Sequence, residues 1–105
     1  MKLAYKLVPK LTWHRFTLLN STKFYGDNHD IQSGFIHLSL LNQVPVVKDR
    51  KFSDDNPYIL TINLLKCVGV KWRFYDGQIY PNVQGYLELH HQIIDVDLYE
   101  NFKLK

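Results

Sequence analysis

The chain has one cysteine, Cys67, so it cannot close an internal disulfide. A lone thiol also leaves a thiolate zinc site without its other ligands, and a reducing compartment is expected. No apolar run approaches the roughly 18 residues that a membrane helix needs. Met1-Lys2-Leu3-Ala4-Tyr5-Lys6 lacks the long apolar region of a secretory leader, so the expected location is the cytoplasm and no membrane partner is expected. Repeats, low-complexity tracts and linkers are missing. So is a dense basic cluster: Lys48-Asp49-Arg50-Lys51 is short and broken by an acid, and nucleic acid is not an expected partner.

What is present is globular composition. The 105 residues are 46% hydrophobic, 14% aromatic and 22% charged. That length suits a single domain, 1–105, around one core. The net charge of +3 is uneven, because residues 1–52 carry eight Lys/Arg against three Asp/Glu. A basic half attracts phosphate-bearing ligands, and it is equally what an ordinary solvated surface looks like.

Leu3 to Val8 is apolar around Lys6 and predicts a first strand, closed by Pro9. Leu11, Trp13, Phe16, Leu18 and Leu19 recur near helical spacing and predict a helix from about Pro9 to Asn20. Gly26-Asp27-Asn28-His29-Asp30 is polar and turn-rich, a loop. A second strand is expected over Gly34–Leu38. A second helix should follow to about Phe52, capped by Ser39 or Asn42, with Pro45 in its first turn. Tyr58–Leu65 and Val70–Phe74 predict two more strands, with Asp76-Gly77 as a turn. Pro81 and Gly85 make Ile79–Leu87 irregular, and Gln92–Tyr99 alternates as a half-exposed final strand. The expectation is an α+β fold, a mostly antiparallel sheet with two helices.

Ser33-Gly34-Phe35-Ile36-His37-Leu38-Ser39 is the most informative stretch, because it places a histidine inside an apolar strand. Alternation puts Phe35 and His37 on one face and Ile36 and Leu38 on the other. His37 then either lines a pocket, where it can move a proton near neutral pH, or is a buried imidazole held by a backbone carbonyl. Ser39 suits a ligand phosphate or ribose, or a helix cap. Lys6 suits a bound anion or a solvated edge. Lys71-Trp72 sets a charge beside a flat ring that suits a nucleobase, although core filling is the commoner use of tryptophan. Tyr80-Pro81 combines a bend with a phenol. His90-His91 cannot chelate together from a strand, since neighbours point to opposite faces, and no metal is expected. Cys67 has no adjacent histidine and is expected to be buried as a small apolar residue.

These pieces resemble the domain-of-unknown-function 952 family. The resemblance rests on Tyr5-Lys6-Leu7-Val8, Trp13, Gly34-Phe35-Ile36-His37-Leu38-Ser39 with Gln43 and Val44, Lys71-Trp72, and Tyr80-Pro81 with Gly85 and Leu87, in that order. The chain departs from the pattern at Ser33, Arg73 and Asn82, where the family usually has Asp, an acid and His. The resemblance implies a fold similar to the ADP-ribosyltransferase group, in which a His-Leu-Ser-like strand helps line an NAD pocket. It also implies a His or Arg on the first strand, a position that Lys6 takes here, and a late-strand glutamate. None occurs within Tyr80–Leu87, and Glu88 follows directly.

The expected function is therefore a pocket for a small anionic, nucleotide-like ligand, with NAD as the possible cofactor. His37 is its candidate catalytic residue, and Lys6, Gly34, Ser39, Lys71, Trp72 and Tyr80 are its ligand-binding candidates. With the late glutamate missing and Arg73 replacing an acid, the enzyme reading includes a degenerate enzyme. A non-catalytic module binding a small molecule or a protein is the alternative, and RNA binding by the basic half ranks last.

Overall fold

Alternation in the first strand divides the interior in two. The computed structural model describes residues 2–103. In β1 (Leu3–Val8), Ala4 and Val8 join one apolar cluster, and Tyr5 and Leu7 join another. Lys6 falls between Ala4 and Val8 and so points to an interior face, where a cation must find partners within the protein.

The first cluster is built by Trp13 and Phe16 from α1 (Lys10–Leu18), Phe24 from β2 (Lys23–Phe24), Ile36 from β3 (Phe35–His37), and Leu60 and Ile62 from β4 (Tyr58–Asn63). The second is closed by Val44 of α3 (Val44–Lys51), with Phe52 just beyond it. Each fully buried Leu or Ile side chain contributes about 1.5–3 kcal/mol. Val83 of β6 (Gln78–Gln84), Leu87 of β7 (Leu87–Glu88) and Ile93 of β8 (Ile93–Leu98) complete the first cluster, and Val70 of β5 (Val70–Tyr75) packs against it. Tyr99 and Phe102 of α4 (Tyr99–Lys103) pack against the second, and α2 (Asn28–Ser33) lies beside them. Two antiparallel sheets form, in orders β1-β4-β8 and β3-β6-β5, and β2 pairs β7 in a short ribbon.

Among the described residues the architecture is α+β and mostly antiparallel, with four helices where the sequence pattern predicts two. The additional α2 and α4 have only six and five residues, too short to show an apolar period. The expected cap of α3 by Ser39 or Asn42 also gives way. A 3-10 turn over Leu41–Gln43 leads into the helix, and α3 has no side-chain cap, although Pro45 does sit in its first turn.

The region expected to be irregular around Pro81 is instead the regular central strand β6, flanked by β3 and β5. Pro81 lacks an N–H, yet its carbonyl accepts from Leu38 N at 3.0 Å. At that point the chain leaves β6: Ser39 and Tyr5 exchange backbone hydrogen bonds of 2.7 and 2.8 Å, joining the end of β3 to β1. The missing donor therefore falls where the ladder already ends, and the proline marks the seam between the two sheets.

Candidate functional site

The polar stretch at residues 26–30 is a helix start rather than a loop. Asp27 caps α2 by accepting from Asp30 N at 3.0 Å, and Asp30 Oδ2 accepts in return from Asp27 N at 3.0 Å. Gly34 ends the helix in the left-handed region, φ +82°, which a glycine adopts without strain. This tight cap turns the Asp30 side chain inward, where the residue is 2% exposed.

Four donors meet the Asp30 carboxylate at the seam. Oδ2 receives Lys6 Nζ at 2.8 Å as well as Asp27 N, and Oδ1 receives His37 N at 3.1 Å and His37 Nδ1 at 2.6 Å. Burial pushes the Asp30 carboxyl up. The bond from the His37 ring, the Lys6 ammonium and the His37 backbone N–H outweigh burial and hold it well below the usual carboxylate range. A carboxylate can only accept, so Nδ1 of His37 carries a proton, which leaves Nε2 as the acceptor of the ring in its neutral form. The ring of His29 stacks on that of His37, centroids 4.5 Å apart. Lys6 Nζ also donates to His37 O at 3.2 Å and stands 4.0 Å from Asp27 Oδ2, so its charge is met inside the protein.

Beside this network opens a cleft of about 680 Å³. Lys6 and Ser39 line it at the seam, His29 and His37 beside them, Arg50 and Lys51 from the end of α3, and Arg73, Phe74 and Tyr75 from β5 opposite Tyr80 and Asn82 of β6. Asp27 is the one acid among the lining residues. Burial, together with repulsion from Lys6 and Arg50, pulls the Lys51 amine below its ordinary pKa, against the weaker pull of Asp27 and Asp30. Arg50 pairs with Asp76 at 3.2 Å, and the guanidinium of Arg73 lies 5.0 Å from the centroid of the Phe35 ring. Among the described residues, one buried side-chain polar atom has no hydrogen-bond partner: Oδ1 of Asn82, which lines this cleft.

Of the residues singled out in the sequence, Lys6, His37, Ser39 and Tyr80 come together on the cleft. Three do not line it. Gly34 serves as the C-cap of α2. Lys71 shares the face of its partner Asn82 but stops short of the cleft. Trp72 points to the opposite face, 46% exposed, with Lys2 Nζ over its ring. The solvated-edge alternative for Lys6 also fails, because the side chain is 6% exposed. Sequence reasoning missed Asp30, Arg50 and Lys51. Asp27-x-x-Asp30 ahead of Gly34 carries the capping-box spacing and was the available signal for Asp30.

Other candidates fall elsewhere. Cys67 packs against the first cluster, and burial pushes its thiol up to about 11. Only about one thiol in 10⁴ is then ionised at pH 7, so modification by an aromatic disulfide reagent should run far slower than in a free cysteine peptide. Rapid stoichiometric labelling would contradict this. Among the described residues, no three His, Cys, Asp or Glu side chains are arranged to hold a metal ion, and no helix is long and apolar enough to cross a membrane.

The fold is similar to that of protein CC0527 from Caulobacter crescentus. The TM-score is 0.79 at 22% identity, over 92% of this chain and 85% of that one. A double-methionine variant of the same Caulobacter protein matches with the same values. No curated protein matches the chain. The model of the family described as Protein of unknown function (DUF952) matches residues 7–95, a span holding Lys6's neighbours Leu7 and Val8, the Asp30–His37 pair and most of the cleft, and the chain belongs to that family.

Proposed function

We propose that the cleft binds a phosphate-bearing, nucleotide-like ligand of the NAD or ADP-ribose type. One observation carries the reading: Arg50, Lys51 and Arg73 converge on a single cleft whose wall includes Phe74, Tyr75 and Tyr80. Clustered cations favour phosphate, and aromatic faces suit a base or sugar. The volume of about 680 Å³ lies within the range of small-molecule sites. Because Lys6 is neutralised by buried Asp30, its role is to hold the seam, and the anion falls to Lys51 and Arg73, with Arg50 joining them when it exchanges its exposed partner Asp76 for the ligand. The choice of NAD or ADP-ribose comes from the resemblance to the ADP-ribosyltransferase group.

Calorimetric titration with NAD and ADP-ribose tests the reading. Binding should weaken as salt rises, and Lys51→Ala should lower affinity about ten-fold, the loss of one charge-assisted hydrogen bond. Absence of heat and of NMR shifts at millimolar ligand would remove the proposal.

The Asp30–His37 pair favours one chemical role at the same place. With Nδ1 committed to Asp30, Nε2 is free to take a proton from a ligand hydroxyl. A non-catalytic module would hold the same ligand without turnover. Incubation with NAD, followed by chromatography, separates the two: product that disappears in His37→Gln supports catalysis, and bound but unchanged NAD supports the module.

A further inference from the structure

The side chains of Arg73, Tyr80, Asn82, Phe35 and His37 share one face of the β3-β6-β5 sheet, as their register requires. Arg73 pairs with Tyr80, His37 pairs with Asn82, and Phe35 pairs with Gln84. Arg73 stands on the outer strand β5, yet its guanidinium lies over Phe35 of β3, 5.0 Å from the ring centroid. To reach Phe35 the side chain must cross β6. The diagonal from the Tyr80 row to the Gln84 row passes over the residue between them, Asn82. Asn82 is 3% exposed, and its Oδ1 is the buried polar atom that has no partner among the described residues. An unpaired buried carbonyl is costly, and it is kept where something outside the folded chain completes it.

We infer that Arg73 is a strap across the cleft and Asn82 the acceptor beneath it, so that the ligand is an anion carrying its own O–H or N–H donor next to the charged group. In the free protein the Arg73 guanidinium rests on Phe35 and its aliphatic stem covers Asn82. An anion in the cleft draws the guanidinium off the ring, because a charge-assisted pair is stronger than the cation–π contact. That movement opens Asn82 Oδ1 to the ligand's donor. An anion without a donor moves the strap and leaves the oxygen unsatisfied, so Asn82 selects among anions. This inference rests on the reading of the cleft as an anion site.

Two probes and two variants test it by calorimetry at neutral pH: ADP-ribose, an anion with hydroxyl donors, and inorganic sulfate, an anion with no donor. Asn82→Ala should weaken ADP-ribose about ten-fold and leave sulfate within about two-fold. Phe35→Leu removes the resting place of the strap from a half-exposed position where folding is not at stake. It should tighten both probes about two- to five-fold. In the wild type, the Arg73 Nε–H resonance should lose its ring-current shift when either probe binds. Equal weakening of both probes by Asn82→Ala, or unchanged affinity in Phe35→Leu, overturns the strap and acceptor while leaving the anion site standing. If neither probe binds the wild type, the anion site and this inference fall together.

Discussion

Asp30→Ala is expected to cost about 3–5 kcal/mol of folding stability, a large share of what a domain of this size has. The substitution removes the acceptor of four hydrogen bonds and leaves Lys6, 6% exposed, as a buried cation with only the more distant Asp27 carboxylate nearby. It also frees the His37 ring, which loses the bond that selects its tautomer. Urea denaturation at pH 7 measures the loss, and a change below about 1 kcal/mol would show that the network is dispensable. Lys6→Met combined with Asp30→Asn should recover much of the stability, because neither charge then has to be desolvated. The same double variant should leave His37 poorly oriented, which separates stability from function.

The pH dependence has a definite sign. The folded carboxyl of Asp30 lies below its ordinary value of 3.8, so in acid the unfolded chain binds the extra proton. The contribution of Asp30 is therefore complete above about pH 4 and is lost as pH falls from there toward the lower folded value. Asp30→Asn should flatten this acid limb of the stability curve. An acid limb of unchanged steepness in that variant would assign acid unfolding to other carboxylates.

Gly26→Ala is expected to be nearly as damaging, at about 2–4 kcal/mol. Gly26 has φ +91°, and a Cβ built there would stand 2.5 Å from Asp30 Cβ. Many clashes are relieved by a flexible side chain moving aside. Here the obstructing side chain is clamped by Lys6, His37 and the Asp27 N–H, so relief means breaking the network. Gly77→Ala is the control: it shares a positive φ of +80° but has open space around the added carbon, so it should pay the backbone cost alone. Equal losses at the two positions would mean that contact with Asp30 contributes nothing.

Much of the strand framework was legible. The apolar run around Lys6 locates β1 at Leu3–Val8, and Asp76-Gly77 locates the turn that follows β5. The inward Ile36 and Leu38 and the outward Phe35 and His37 follow from period two, and both inward residues are buried. The failures share a cause. The short α2 is specified by its caps, Asp27 and Gly34, rather than by apolar periodicity, and Pro81 looks like a breaker until the neighbouring strand is known to leave at that point.

The sequence by itself determined the α+β class, the apolar faces and the presence of a cation and an imidazole within apolar strands, because periodicity and residue type are local properties. Only the tertiary structure decided what those two groups meet. Lys6 and His37 are 31 residues apart and touch through the Tyr5–Ser39 seam, where Asp30 is carried in by a six-residue helix. Their partner depends on the register of two sheets and on one capped turn, and those are set by the burial of the whole chain.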